Sequence, residues 1–451
     1  NMFSGEWSGT SKLNKYDLSS MYFNYAGSIY SQNFPIIDIV MNTMLKQEES
    51  TQGRHFFRMF NGMGDDQRAA SYLNGKSFEQ AVLDNTLSTE VFYEMMKLKG
   101  VYLRNYINSR LSSNEFKEFM AEFMKKYQFQ EVNFTRLNSE FIRKFHFNLM
   151  DFIPNWYTIN STPRFIVKGV DADQVEVGDY TKYIVKFQVY NPTNVEGVIS
   201  VNVEEGGGMF PGGPRGRRGR AAQMEAKPAK NYIIEPQKYK EIRILCDERP
   251  SNLTINTNIS QNLPSTIMQN FAKVTTTTTD TVTGIFDSNA TLFTFNPKEI
   301  TVDNEDPGFR IIESNQKNKL QSFFKKESED KYKNLNFWMP PSRWTATIGV
   351  NYYGDYINSA VYKKSGSGSN KTEWTTQIQI PGFYEVFVYT SELPMMGWRH
   401  RGGEEKKIQY YTVKHDDGEE EISVETGRGR QGWRTLGSFY FSKGEAKITL
   451  S

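Results

Sequence analysis

Cysteine is nearly absent from this chain. Cys246, in the run EIRILCDE, is the single one. That excludes an internal disulfide and any zinc site built from several cysteines. The alternating apolar pattern around it marks a small, buried strand residue. Histidine is scarce as well, with only His55, His146, His400 and His415. None begins an H-E-x-x-H pair, so the helix-borne zinc site of a metallopeptidase is missing. No Ser/His/Asp arrangement and no glycine-rich phosphate loop stands out, and the chain reads as non-catalytic. Long apolar runs are lacking too. FPIIDIVMNTML, residues 34–45, is broken by Asp38 and Asn42 and falls short of the roughly 18 apolar residues a membrane helix needs. Neither sign of charge dominates: 54 Lys and Arg against 52 Asp and Glu leave a formal net charge of +2. Nothing there draws the chain as a whole to nucleic acid or an anionic membrane. The opening Asn1-Met2-Phe3 lacks the charged and apolar regions of a signal peptide, and it is expected to be an internal boundary, not a natural start.

What the chain does have is aromatic residues, 14% of its 451 positions. They bury much area each and make a core feasible although apolar residues reach only 38%. The length suits about three domains. Residues 1–150 read as all-α. Ile36, Ile37, Val40, Met41 and Met44 recur at helical spacing after Pro35. A helix is expected in GKSFEQAVLDN, and a long one in VFYEMMKLKGVYLRNYINSRL with Val91, Met95, Leu98, Leu103 and Ile107 inward. Ser112 and Glu115 form a capping box before a stripe of Phe116, Phe119, Met120, Phe123 and Tyr127. FTRLNSEFIRKF supplies another helix.

Residues 151–297 change period. FIVKGV, DYTKYIVKFQVYN, GVISVNVEE, NYIIEPQKYKEIRILCDE and SNLTINTNIS alternate as strands of a β-sandwich. Thr275–Thr279 fits an edge strand or linker. The segment 204–230, rich in Gly and Pro and carrying Arg215, Arg217, Arg218 and Arg220, is expected to be a disordered loop between sandwich strands. Phe210 is almost its only aromatic; stacking platforms for single-stranded nucleic acid need more, so no nucleic-acid partner is expected.

Residues 298–451 read as a second, jelly-roll-like all-β domain. Pro381-Gly382 is a turn signal before FYEVFVY, where Phe383, Glu385, Phe387 and Tyr389 face one way and Tyr384, Val386 and Val388 the other. Asp417-Gly418 signals a hairpin. Trp344 and Trp374 are expected in the core, and Trp433 and Leu436 are expected to anchor a strand there. Sugar sites offer flat aromatics beside carboxylates. The candidates are Trp338, Trp344, Tyr352, Tyr353, Asp355 and, in a Gly- and Arg-rich loop at 393–407, Trp398. Asp303, Asn304, Glu305 and Asp306 offer oxygen ligands for a calcium ion.

Two resemblances follow from these residues. MKLKGVYLRNYINSRLSSNEFKEFMAEFMKKYQFQEVNFTRLNSEF, with NYAGSIYSQNFPIIDIV before it, is similar to the part of aminopeptidase N family zinc peptidases that follows the metal site. The sandwich resembles the small one behind that family's catalytic domain. In the family a Y-x-K-G turn carries a catalytic tyrosine. Aligned on Lys99-Gly100, this chain has Lys97 at that position and Tyr93 one turn earlier. The resemblance implies the back half of an exported or membrane-associated metallopeptidase-type protein, its zinc held in an upstream peptidase-like domain that would be this chain's partner. VDNEDPGF, Trp344, YYGDYINSAVY, EWTTQIQIPGFYEVFVYT, QYYTVKHDDGEEEISVET and GWRTLGSFYFSKGEAKITLS resemble the golvesin carboxy-terminal domain, which also occurs at the end of xanthan lyases. That resemblance implies contact with carbohydrate or the cell envelope and an extracytoplasmic place, periplasmic or at the cell surface. The competing reading is a surface carbohydrate-binding or adhesion protein with no peptidase relation.

Overall fold

The computed structural model describes residues 29–46, 64–128, 130–206, 229–271, 274, 276–294, 296, 298–313, 331–333, 335, 340–391, 407–427 and 430–451. They form a β-rich chain with several sheets and a layer of helices at its amino-terminal side.

The helices are α1 (Ile37–Lys46), α2 (Asp65–Tyr72), α3 (Phe78–Leu83), α4 (Thr89–Asn108), α5 (Ser113–Lys126), α6 (Phe134–Phe145) and α7 (Ile153–Thr158). Two short strands, β1 (Ile29–Tyr30) and β2 (Val132–Asn133), pair in parallel beside them. Helix starts follow from local chemistry. Ser77 with Gln80, and Ser112 with Glu115, satisfy each other's backbone N–H groups reciprocally at the heads of α3 and α5. The expected stripes are buried: Ile37, Val40 and Met41 on α1, Met95, Leu103 and Ile107 on α4, and Phe116, Phe119, Met120 and Phe123 on α5. Helix continues to Thr158, past residue 150 where the sequence pattern changes, because Trp156 and Tyr157 belong to this same core.

The segment Lys97–Gly100 is not a turn. It lies inside α4, which runs unbroken to Asn108. Lys99 is only 4% exposed. Its ammonium donates to the Trp156 carbonyl, and the Trp156 indole N–H returns a bond of 3.2 Å to the Lys99 carbonyl. The lysine thus clamps α4 to α7, with its amino group packed over the Phe78 and Trp156 rings.

The first sandwich has a sheet of β3 (Ile166–Val177), β4 (Tyr180–Tyr190), β7 (Tyr239–Cys246), β10 (Thr277–Thr278) and β11 (Gly284–Asp287), in the order β10-β3-β4-β7-β11. Its second sheet is β5 (Gly197–Glu205), β6 (Lys230–Ile234), β8 (Pro250–Asn256) and β9 (Thr266–Asn270), in the order β6-β5-β8-β9. Phe165, Val185, Phe187, Ile199, Ile242, Leu253 and Ile255 fill the space between them. Cys246 is buried there, and Thr277–Thr278 lies at a sheet edge. β5 and β6 pair antiparallel; the Gly/Arg-rich segment between them, with its four arginines, lies outside the described residues.

Asn258 ties the helical layer to this sandwich. It sits at φ +53°, a left-handed conformation that Asn tolerates better than most residues. Its amide donates to the Val198 carbonyl at 2.8 Å and accepts from Asn105 of α4 at 2.8 Å.

The remaining strands are β12 (Phe309–Ile312), β13 (Thr345–Ile348), β14 (Ser359–Tyr362), β15 (Lys371–Ile378), β16 (Gly382–Thr390), β17 (Lys407–His415), β18 (Gly418–Thr426), β19 (Gly432–Phe441) and β20 (Gly444–Leu450). One antiparallel sheet runs β12-β15-β20-β17-β18; β16 pairs with β19, and β13 with β14. Val386, Val413, Val424, Leu436, Phe439 and Phe441 form the core between them, with Trp344 and Trp374 half-buried against it. The loop 349–358 joins this part to the sandwich. Leu263 donates to the Tyr356 carbonyl at 2.9 Å and accepts from Asn358 at 2.7 Å, while the Arg164 guanidinium lies 3.9 Å from the Tyr356 ring centre. Gly354 is required in that loop: its φ is +154°, and a Cβ there would lie 1.9 Å from the Ile357 carbonyl oxygen.

Candidate functional site

Alternation along β16 sends Val386 inward and Phe383, Glu385, Phe387 and Tyr389 to the other face. Across the ladder on β19, Phe383 faces Tyr440, Glu385 faces Ser438, Phe387 faces Thr435 and Tyr389 faces Trp433. The register shifts between Val386 and Phe387 because Leu436 bulges; Leu436 stays buried while its neighbours Thr435 and Ser438 remain outside.

The result is a row of rings on an open sheet face. Phe383 is 77% exposed, Trp433 50% and Phe387 45%. Phe383 meets Tyr440 edge-on at 5.3 Å. At the other end Tyr353, Tyr389 and Trp433 form a triangle with centroid separations of 5.0–5.5 Å. Such pairs hold their geometry by the ring quadrupoles, so Trp433 is fixed while half its surface faces water. From Phe383 to Tyr389 the row covers about 20 Å of strand. Exposed apolar patches of this kind mark interaction surfaces, and an open row fits an extended ligand better than a small enclosed one.

Trp433 is therefore not a core anchor, contrary to the sequence expectation. The bulge at Leu436 and the pairing with Tyr389 place it outside, and only Leu436 is buried. The other candidates separate. Tyr353 joins the aromatic triangle, and burial, with Asp355 nearby, raises its hydroxyl pKa. Tyr352 does not belong to a surface site: it is 5% exposed and packs under Gly349, and burial raises its hydroxyl pKa. Asp355 is exposed, in the loop that docks on the first sandwich. Trp338 and Trp398 lie outside the described residues.

The acidic turn folds on itself. The Asp306 carboxylate accepts from the Asp303 N–H at 2.7 Å, and that of Asp303 from the Asn304 N–H at 2.8 Å. Glu305 pairs with Lys331 and accepts from Ser359 at 2.5 Å. Burial opposes its ionisation, but these partners outweigh it and hold its pKa below the usual value. For Asp303 burial dominates, and with Asp306, Glu305 and Asp355 around it the pKa is raised to about 7. Among the described residues no three His, Cys, Asp or Glu side chains converge on a metal position: Glu305 is turned to Lys331 and Ser359, and Asp306 to a backbone N–H.

Between β18 and β19, Ser423, Val424 and Glu425 together with Arg430, Arg434 and Thr435 line an open pocket of about 420 Å³; Arg434 pairs across the ladder with the inward Val388, on the face opposite Trp433. Arg430 pairs with Glu425, and Arg434 donates through Nε to the Arg430 carbonyl at 3.3 Å.

The sequence profile of the golvesin C-terminal domain matches residues 333–451, leaving 298–332 outside the match. No curated protein matches this chain. Among solved structures, a xanthan lyase from Paenibacillus is similar at 12% identity, covering 64% of this chain and 24% of the lyase, with a TM-score of 0.24. The chain thus spans about a quarter of that protein, and the likeness carries no argument. The aminopeptidase N resemblance of the helical part finds no support in these comparisons. Among the described residues no helix is long and apolar enough to cross a membrane.

Proposed function

We propose that residues 298–451 form a glycan-contacting module of an extracytoplasmic protein, tethering it to polysaccharide or the cell envelope, with the outer face of β16 and β19 as the contact surface. The row Phe383, Phe387, Tyr389 and Trp433 carries this reading. Exposed rings, several held edge-to-face by their neighbours, can stack on the apolar faces of sugar rings, and Glu385 in their midst can accept hydroxyl hydrogen bonds. Resemblance to the golvesin carboxy-terminal domain supports the carbohydrate side of the reading. The jelly-roll-like description fits two antiparallel β layers closed over one core. In this reading the helical layer and first sandwich form a firm base, joined to the module through Leu263 and the loop 349–358.

The surface-adhesion reading is preferred to the peptidase one because it rests on side chains present in this chain. A glycan array probed with the full chain tests it. Binding to a subset of surface polysaccharides, lost in Trp433→Ala while the circular dichroism spectrum is unchanged, is the expected result. Silence of the wild-type chain across the array contradicts it.

A further inference from the structure

The outer face of β16 and β19 holds a single charge. The outward side chains of β19, namely Tyr440, Ser438, Thr435 and Trp433, are all neutral. On β16 the row of rings is interrupted once, by Glu385. Glu385 is exposed and stands opposite Ser438. Alternate residues of a strand lie about 7 Å apart on one face, so its carboxylate is the next neighbour of both Phe383 and Phe387. Elsewhere in the module carboxylates are neutralised: Glu373 by Arg310 and Lys447, Glu425 by Arg430, and Glu305 by Lys331. Among the described residues no cation pairs with Glu385.

The potential over the row is therefore negative. Ring faces carry the negative end of the aromatic quadrupole and add to it. The sign continues past the Trp433 end of the row. Burial raises the Tyr353 hydroxyl pKa, and the nearby carboxylates of Asp355 and Glu299 raise it further. A carboxylated chain laid along this face would bring like charges together with no described cation to offset them. A neutral chain would use Glu385 only as a hydroxyl acceptor. An ammonium group gains more. It makes a charge-assisted hydrogen bond to the carboxylate, roughly twice as strong as a neutral one, and the faces of the flanking rings attract the same charge.

We infer that the glycan taken by this face carries free amino groups, as a polymer of amino sugars does, with one ammonium on Glu385 while sugar rings stack on Phe383 and Phe387. This rests on the glycan reading of the aromatic face and specifies its ligand class. Calorimetric titration of the full chain tests it, with glucosamine oligomers in free-amine and N-acetylated forms beside cello- and galacturonate oligomers. At about pH 5.5 the amines are protonated and Glu385 is an ordinary exposed carboxylate. The free-amine oligomer should bind about tenfold more tightly than its acetylated form, and the galacturonate oligomer most weakly. Glu385→Gln should abolish that tenfold advantage and its salt dependence and leave the acetylated form bound as before. Glu419→Gln, an exposed carboxylate of β18 in the other sheet, should change nothing. Trp433→Ala should weaken every oligomer that binds. Equal affinity for the free-amine and acetylated forms, wild-type behaviour of Glu385→Gln, or an equal loss in Glu419→Gln overturns the inference; if Trp433→Ala still abolishes binding, the glycan reading survives. Failure to bind any oligomer of the set overturns the inference, whereas the glycan reading falls only if the wider array is silent as well.

Discussion

Replacing Lys99 by Met should leave the protein at least as stable at pH 7 and remove a pH dependence. Lys99 is fully enclosed, and its ammonium meets one carbonyl and two ring faces but no carboxylate among its described partners. Burial lowers its pKa from 10.5 to about 7. Between those values the unfolded chain binds more protons than the folded one at this site. Stability therefore rises with pH across the window, and below about pH 7 the burial penalty is fully present. At about 1.4 kcal/mol per pH unit, pH 9 should exceed pH 7 by on the order of 2–3 kcal/mol. Methionine removes the penalty and one hydrogen bond of about 1 kcal/mol. Urea unfolding followed at 222 nm, at pH 7 and pH 9, measures both quantities. The wild type should gain stability over this interval, and Lys99→Met should show little of that gain. A variant that loses more than about 2 kcal/mol at pH 7 and keeps the wild-type pH slope would refute this reasoning. It would mean that the lysine is charged in the fold and that its contacts with Trp156 and Phe78 outweigh desolvation.

Gly354→Ala should lower the stability of the terminal module by about 2 kcal/mol or more, because the new Cβ collides with the Ile357 carbonyl; faster proteolysis between residues 349 and 358 would report it, and unchanged kinetics would count against the collision. Asn258→Ala should cost about 2–4 kcal/mol through its αL backbone and the stranded Asn105 and Val198 groups, seen as a lower urea midpoint for the helical signal. Asp303, with its pKa raised to about 7 by burial and the surrounding carboxylates, should lose stability for the fold as pH rises from about 4 to 7. Asp303→Asn should then be the more stable protein at pH 8 and nearly equal to wild type below pH 4; equal melting temperatures at pH 8 would contradict this.

The helical layer was the most legible part of the sequence. The capping box at Ser112 and the Phe stripe of α5 are local, and local patterns survive folding. Strand alternation was equally readable, including the direction of Phe383, Phe387 and Tyr389. What the alternation meant was harder to see. Glu385 shares their face, and a carboxylate without a nearby cation marks the wet side of a strand, so the aromatics beside it had to be exposed. The position of Trp433 depended on the bulge at Leu436, a feature of strand pairing and not of composition. Nor could the sequence reveal the arginine pocket. It arises where β18 meets β19, two strands that are not paired with each other. Lys99-Gly100 suggested a turn by family likeness, but unbroken helical packing from Met95 to Ile107 overrode it.

The glycan-contacting face is tested most directly by removing its rings together. Phe383→Ala, Phe387→Ala and Trp433→Ala in one protein leave the inward residues Val386, Leu436, Phe439 and Phe441 untouched. Titration of wild type and triple variant with the polysaccharide chosen from the array should show binding for the first and a loss of at least a hundredfold for the second, with matching circular dichroism. Undiminished binding by a folded triple variant would contradict the assignment of this face.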